Sequence, residues 1–494
     1  MKIWTIRVGF GVAALLWCVL SLSAVRSLTT IPSDAGQEEI AATMDAVLTQ
    51  SVSEYTIAGV AAGVMHGGDW IWSARYGVRD GENRPVLGET AFNLASISKP
   101  VMVWIVLSLA QDELIDLDAP IGRYLHQFEL DYRGHDPEQV TVRRLLEHTG
   151  GTNNHGYGGY GAHEDQPADI HELSTAFQPI AVVREPGVSR VYSGGGYVLL
   201  QMMVEEVMDA PLDMVAQQRV FAPLGMTDSA FDRTRPDQLS QAFNYYGKPI
   251  ESLRDVALAA AGGYSSGDDM ERFLRAHIDG GGVLQPDVLA QAFAPLDSAS
   301  WTGMSYTLSQ TPDGVLIGHG GNNSTWHGQI YVRPQTGDGF YFLTNATGGA
   351  QLDFDLSCAW LSHVNGVPAG EACAGAVETT RMIGRWAAVS GVLALALGYW
   401  LIAGLVTGRR TLVLIPRGRT ALRLTGRLTL AGLVLALLSG SLAMFYTNFV
   451  YWRTEVIFID EIPIDELEWL LPAILSVLAM ALVALWSSPG ARRE

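Results

Sequence analysis

The sequence predicts an α/β fold of the α+β type, in which an antiparallel sheet flanked by helices meets a mostly helical region and transmembrane helices follow. Three observations predict it. β-prone runs fall at both ends of the stretch 41–369, residues 100–276 between them follow a helical pattern broken by Gly- and Pro-rich loops, and three long apolar stretches close the chain.

Residues 1–27 read as a signal peptide or signal anchor: Lys2 and Arg7 flank an apolar run over 8–22, with small residues Ser21, Ser23 and Ala24 near its end. Leu22 spoils one small-x-small site while Ser21 and Ser23 offer another, so cleavage and retention both stay open. A single globular domain is expected over 38–369. In it, the runs 57–66 and 70–76 are joined by Gly67 and Gly68 as a hairpin, and 315–318, 328–333 and 340–345 supply three later strands. Strands from both ends and helices from the middle leave a cleft between sheet and helical region as the expected site.

The apolar stretches 383–406, 428–446 and 469–486 each approach the roughly 20 residues that a helix needs to cross a bilayer. Arg409, Arg410, Arg417, Arg419, Arg423 and Arg427 separate the first two, and Glu455, Asp460, Glu461, Asp465, Glu466 and Glu468 separate the last two. Arginine-rich loops stay in the cytoplasm. The expectation is a multi-pass protein of the cell membrane, held in the lipid bilayer by its C-terminal helices, with the globular domain on the extracytoplasmic (periplasmic or extracellular) side. More spans than one anchor requires point to a membrane protein partner.

A formal net charge of -19, from 51 acidic against 32 basic side chains, repels phosphate backbones and excludes nucleic acid as a partner. Of the cysteines, Cys18 lies in an apolar stretch, and Cys358 and Cys373 can pair if their segment meets an oxidising compartment. His126, His135, His148, His155, His163 and His171 cluster in sequence, but no pair has H-E-x-x-H spacing, so no metal is expected, and no cofactor. The glycine-rich stretch 156–161 reads equally as a lid or a surface loop, and Asn322-Asn323-Ser324 and Asn345-Ala346-Thr347 match glycosylation sequons.

Ser96-Ile97-Ser98-Lys99 opens an apolar helical run, with Pro100 tolerated in its first turn. Three residues apart on a helix, Ser96 and Lys99 are neighbours. A lysine in a poorly hydrated place loses preference for its charged form and can take the serine proton. Tyr192-Ser193-Gly194, after the Pro186-Gly187 turn, offers a phenol for proton transfer, and His319-Gly320-Gly321 a Gly-rich strand on which a substrate carbonyl can approach the backbone. The amides of Asn322 and Ser96 would then form an oxyanion hole.

These three elements in this order resemble the serine β-lactamase and penicillin-binding-protein superfamily, in its class C-like branch of β-lactamase-related serine hydrolases. Leu145-Leu146-Glu147-His148-Thr149-Gly150-Gly151, Phe221-Ala222-Pro223-Leu224-Gly225-Met226 and Ala261-Gly262-Gly263-Tyr264-Ser265-Ser266 are similar to further segments of that family. The resemblance implies a β-lactamase/transpeptidase-like fold, with Ser96 as nucleophile, Lys99 as general base and Tyr192 as a second acid or base. His319, with Gly320, Gly321 and Asn322, implies a substrate-binding or oxyanion strand. Two departures stand out. Gly194 occupies the place of an Asn that would orient the substrate, and His319 that of a permanent cation that would grip a carboxylate.

The expectation is therefore hydrolysis, through an acyl-enzyme, of an ester or amide in a small-molecule or peptide substrate, by an esterase or D-amino-acid peptidase rather than a β-lactamase. The alternative is a catalytically weak or inactive module that binds a cell-envelope ligand.

Overall fold

A computed structural model describes residues 11–16, nearly all of 28–378, scattered residues of 381–412, and residues 487–489. The chain divides into a unit of Thr29–Ala372 and a unit of Met1–Leu28 with Cys373–Glu494.

In the first unit, Gly67 and Gly68 have φ of 63° and 87°, the left-handed pair that a two-residue hairpin turn needs, and they join β1 (Gly59–His66) to β2 (Asp69–Gly77). β3 (Ala91–Ala95) pairs with β4 (Gly263–Ser266) in a separate two-stranded sheet, bringing together segments far apart in the chain. β5 (Thr307–Thr311), β6 (Gly314–Asn323), β7 (Trp326–Arg333) and β8 (Asp338–Thr344) complete a six-stranded antiparallel sheet in the order β2-β1-β8-β7-β6-β5. The hairpin and the three late strands thus lie where their side-chain patterns put them. β5 is a polar edge strand without an apolar run to announce it.

Both faces of this sheet are covered, which is why β1 and β8 are buried along almost their whole length instead of alternating with solvent. Side chains still alternate between two cores. Val60, Ala62, Val64, Phe340 and Phe342 pack with Ile40 and Met44 of α1 (Gln37–Glu54) and, from near the end of the domain, Leu356 and Trp360. Ala61, Tyr341 and Leu343 face the larger core, whose centre is α2 (Ser98–Gln111). From Ser98 to Leu109 every residue of α2 is buried, as expected of a helix that is apolar all round. α3 (Gly194–Met208) packs beside it, α4 (Gly267–Asp279) follows β4, and α5 (Gly349–Asn365) carries Leu356 and Trp360.

Cys358 and Cys373 are each disulfide-bonded. Asn345 is fully buried and its carboxamide donates to the Val78 carbonyl at 3.2 Å, which closes that sequon to a glycan in the folded chain.

The apolar stretches 428–446 and 469–486, and residues 17–27 of the N-terminal segment, lie outside the described residues. Within 383–406 the described residues, among them Leu395, Ala396, Tyr399 and Trp400, are helical. Among the described residues no helix is long and apolar enough to cross a membrane. In this second unit, Arg410–Leu412 pairs antiparallel with Ser487–Pro489.

Candidate active site

Ser96 lies in the turn from β3 into α2, half-buried, directly after Ala95, whose φ of 44° is left-handed. That conformation costs a residue with a Cβ ~1–2 kcal/mol. It is held by the Asn93 side chain, which accepts from the Ala95 N–H at 2.8 Å. Ser98 holds it from the other side: its hydroxyl donates to the Ala95 carbonyl at 2.6 Å and accepts from the Gly263 N–H at 2.8 Å. The second serine of the motif is thus a fixture of the turn.

Gly321 and Gly328 are cross-strand partners in β6 and β7, and together they leave a depression in the sheet. The buried Ile97 sits in it: a Cβ on Gly328 would stand 3.1 Å from its Cδ1, and one on Gly321 would stand 3.1 Å from its Cγ1 and 2.3 Å from the Leu94 carbonyl. Glycine here lets the corner that bears Ser96 press against the strand that bears His319, Gly320 and Asn322. Asn322 has a buried side-chain oxygen with no hydrogen-bond partner.

Lys99 is among the largest fully buried side chains of the described residues. Its Nζ donates to Ser96 Oγ at 3.1 Å and to the Ala260 carbonyl at 2.7 Å. Burial lowers its pKa from the usual lysine value to about 7, so an appreciable fraction is neutral at physiological pH. The Tyr192 ring centroid is 4.7 Å from Nζ. Burial raises the Tyr192 phenol, and a hydrogen bond to Ser96 works against that rise.

His319 is buried, and its Nδ1 is 2.6 Å from the Gly320 carbonyl. A carbonyl only accepts, so Nδ1 carries the hydrogen, and Nε2 presents a lone pair in the neutral ring. Burial first, then the field of Lys99, lowers His319 to about 3, with the Gly320 hydrogen bond opposing. This position therefore holds no cation at neutral pH.

Tyr192 leads into α3, whose first residue is Gly194. Ser193 caps the helix by accepting from the Gly196 N–H at 3.2 Å, and donates to the Asn153 carbonyl at 2.8 Å. Ser193→Ala removes both bonds and is expected to destabilise the domain by about 1–2 kcal/mol, seen as a lower urea midpoint with an unchanged m-value.

Two histidines that the sequence showed only as part of a cluster without metal spacing also approach Tyr192. His148 has its ring centroid 4.4 Å from that of Tyr192, a φ of 61°, and Nδ1 accepting from the Ser193 N–H at 3.1 Å. Burial, then the field of Arg190, holds it well below the usual histidine range. His155 lies at 5.0 Å, whereas His135 pairs with Glu185 at 3.0 Å. The signal for His148 was its place inside the Leu-Leu-Glu-His-Thr-Gly-Gly segment. For His155 and Arg190 no sequence pattern pointed here.

The chain is similar to known proteins over most of the first unit. A family model described as Beta-lactamase matches residues 44–362. Esterase EstB of Burkholderia gladioli is 29% identical over 292 residues, which are 51% of this chain and 74% of that protein. The putative penicillin-binding protein PbpX of Bacillus subtilis is 25% identical over 268 residues, 52% of this chain and 64% of that one. Among solved structures, the octameric penicillin-binding protein homologue from Pyrococcus abyssi superposes with a TM-score of 0.59 at 20% identity, covering 69% of this chain and 81% of that chain, a likeness of fold.

Proposed function

The chain belongs to the Beta-lactamase family, and from that premise we propose that it is a serine hydrolase that cleaves an ester or amide through an acyl-enzyme on Ser96. The observation that carries this reading is Lys99 Nζ, 3.1 Å from Ser96 Oγ in a buried place that holds its pKa near 7. Such an amine is neutral often enough to accept the serine proton and, once charged, acidic enough to return it.

In the proposed reaction Ser96 Oγ bonds to the substrate carbonyl carbon while its proton moves to Lys99. The negative charge on the carbonyl oxygen is met by the backbone amides of Ser96 and Asn322. Tyr192, beside both Ser96 and Lys99, passes the proton to the departing alcohol or amine as the carbon–heteroatom bond breaks. Water then attacks the acyl carbon with the same groups as base, and releases the acid.

His319 argues for the kind of substrate. A neutral imidazole gives no ion pair to a carboxylate, so esters and peptides lacking a carboxylate there are favoured over β-lactams. EstB, the esterase relative, supports this preference.

The proposed location is a cell membrane, with the catalytic domain on the extracytoplasmic side. The N-terminal apolar segment and the arginine-rich segment after 406 support it. The pairing of Arg410–Leu412 with Ser487–Pro489 fits it too, because it joins the chain just after the first apolar stretch to the chain just after the third.

The test is intact mass of the purified full-length protein after exposure to a fluorophosphonate, an activated ester and a fluorescent penicillin, each beside Ser96→Ala. Adducts with the first two that vanish in Ser96→Ala are expected, with little or none from the penicillin. A folded protein that no probe modifies would instead be the ligand-binding module.

A further inference from the structure

The side chain missing at Gly194 has its place taken by a neighbouring loop. A Cβ on Gly194 would stand 2.9 Å from the Tyr157 ring and 3.1 Å from the His155 carbonyl, and one on Gly195 would stand 2.5 Å from the Asn153 carbonyl. The loop is tied down at this point. The Gly194 and Gly195 N–H groups donate to the carbonyls of His155 and Asn154 at 2.9 and 3.1 Å. Asn154, left-handed with a φ of 60°, donates from its carboxamide to the Tyr157 hydroxyl at 3.2 Å and the Gln178 carbonyl at 3.1 Å. Farther along, Tyr160 and Arg254 exchange backbone hydrogen bonds of 2.9 and 2.8 Å. Residues 153–157, with Tyr160 tied down beyond them, are therefore a fastened wall of the site.

Tyr157 is buried in this wall and His155 is exposed on it. The His155 and Tyr192 ring centroids lie 5.0 Å apart at an interplanar angle of 46°, and the Tyr192 backbone hydrogen-bonds the imidazole. Of the three imidazoles around Tyr192, His148 and His319 are buried, so His155 is the one open to an arriving molecule.

We propose that His155 is a specificity-determining residue that takes over from the absent side chain at position 194, hydrogen-bonding a neutral polar group, an amide or hydroxyl, in the acyl part of the substrate beside the scissile carbonyl. The proposal rests on the acyl-enzyme reading above. Partial burial and the field of Lys99 lower the His155 pKa and favour the neutral ring, whose N–H is taken by the Tyr192 backbone and whose other nitrogen accepts, as from an amide N–H or a hydroxyl. That chemistry suits an amide better than a carboxylate.

The test compares His155→Ala and His155→Gln with the unsubstituted full-length protein on two p-nitrophenyl esters, one with an N-acetyl-D-alanyl group and one with a butyryl group. His155→Ala is expected to lower kcat/KM for the amide-bearing ester roughly tenfold more than for the butyrate, mainly through KM, the loss of one hydrogen bond in a partly dry site. Glutamine at this position is expected to restore most of that selectivity. Fluorophosphonate labelling is measured in parallel. Ser96-dependent labelling with equal losses on both esters, or with none, overturns the proposal alone, whereas absence of labelling in the unsubstituted protein removes the acyl-enzyme reading and the proposal with it.

Discussion

Lys99→Met is expected to lower kcat/KM for an activated ester by roughly 10³–10⁴-fold while the protein stays folded. Methionine matches the length of the lysine stem and suits the fully buried place that Lys99 occupies. What it removes is the amine that takes the Ser96 proton.

Two accompanying measurements separate loss of chemistry from loss of structure. In the wild type, kcat/KM should rise through an inflection near pH 7 as Lys99 gives up its proton, and Lys99→Met should lack that inflection. A wild-type profile flat from pH 6 to 8.5 would count against Lys99 as the base. Stability should also rise with pH over this range. Because the folded-state pKa is about 7, below the usual 10.5, the unfolded chain binds more protons between these values. Lys99 thus costs stability in full below pH 7 and progressively less as pH rises towards 10.5. The methionine variant should therefore melt at or above the wild-type temperature at pH 7, and a clear drop would point to a structural role for the amine.

Gly321→Ala is expected to lower kcat by about 10²-fold or more, the cost of displacing a reacting group by roughly 1 Å. The added methyl would lie 2.3 Å from the Leu94 carbonyl, two residues before Ser96, a separation that no packing adjustment of side chains relieves. Either β6 or the β3–α2 corner must shift, and either shift moves Ser96 relative to the strand bearing His319. Overpacking of this kind costs about 1–3 kcal/mol, too little by itself to unfold a domain of this size. Gly328→Ala is the control. Its Cβ would meet the Leu343 side chain at 2.9 Å, and the Ile97 side chain and the Phe342 carbonyl at 3.1 Å, so it crowds the same depression less severely. Unimpaired turnover in Gly321→Ala would show that the depression does not seat the nucleophile.

The parts of this site that were legible in the sequence are those in which one short segment carries its own reason. Ser96 and Lys99 are three residues apart at a helix start, and that spacing alone makes them neighbours. Gly67-Gly68 between β-prone runs specifies a hairpin by the backbone angles it permits. What escaped depends on distant segments meeting. The pairing of β3 with β4 joins residue 91 to residue 266, and β5 owes its place to the β6 ladder and not to any pattern of its own. Gly194 was read as a subtraction from the site. The space it vacates is filled by Tyr157, and the group beside it belongs to His155, a relation that no local periodicity records. The stretches expected to span a membrane were legible only as apolar runs, and 428–446 and 469–486 lie outside the described residues.

The seating of residues 153–157 on the first turn of α3 also bears on how such a protein can change over generations. The atoms that cap this helix are the atoms that moor the wall of the pocket, with Ser193 Oγ serving both. A lineage drifting towards a new substrate by rebuilding that wall would forfeit helix stability with the same substitutions. Variants with altered selectivity should therefore survive chiefly where the rest of the domain is stable enough to absorb the loss, and laboratory selections begun from a stabilised parent should reach them sooner.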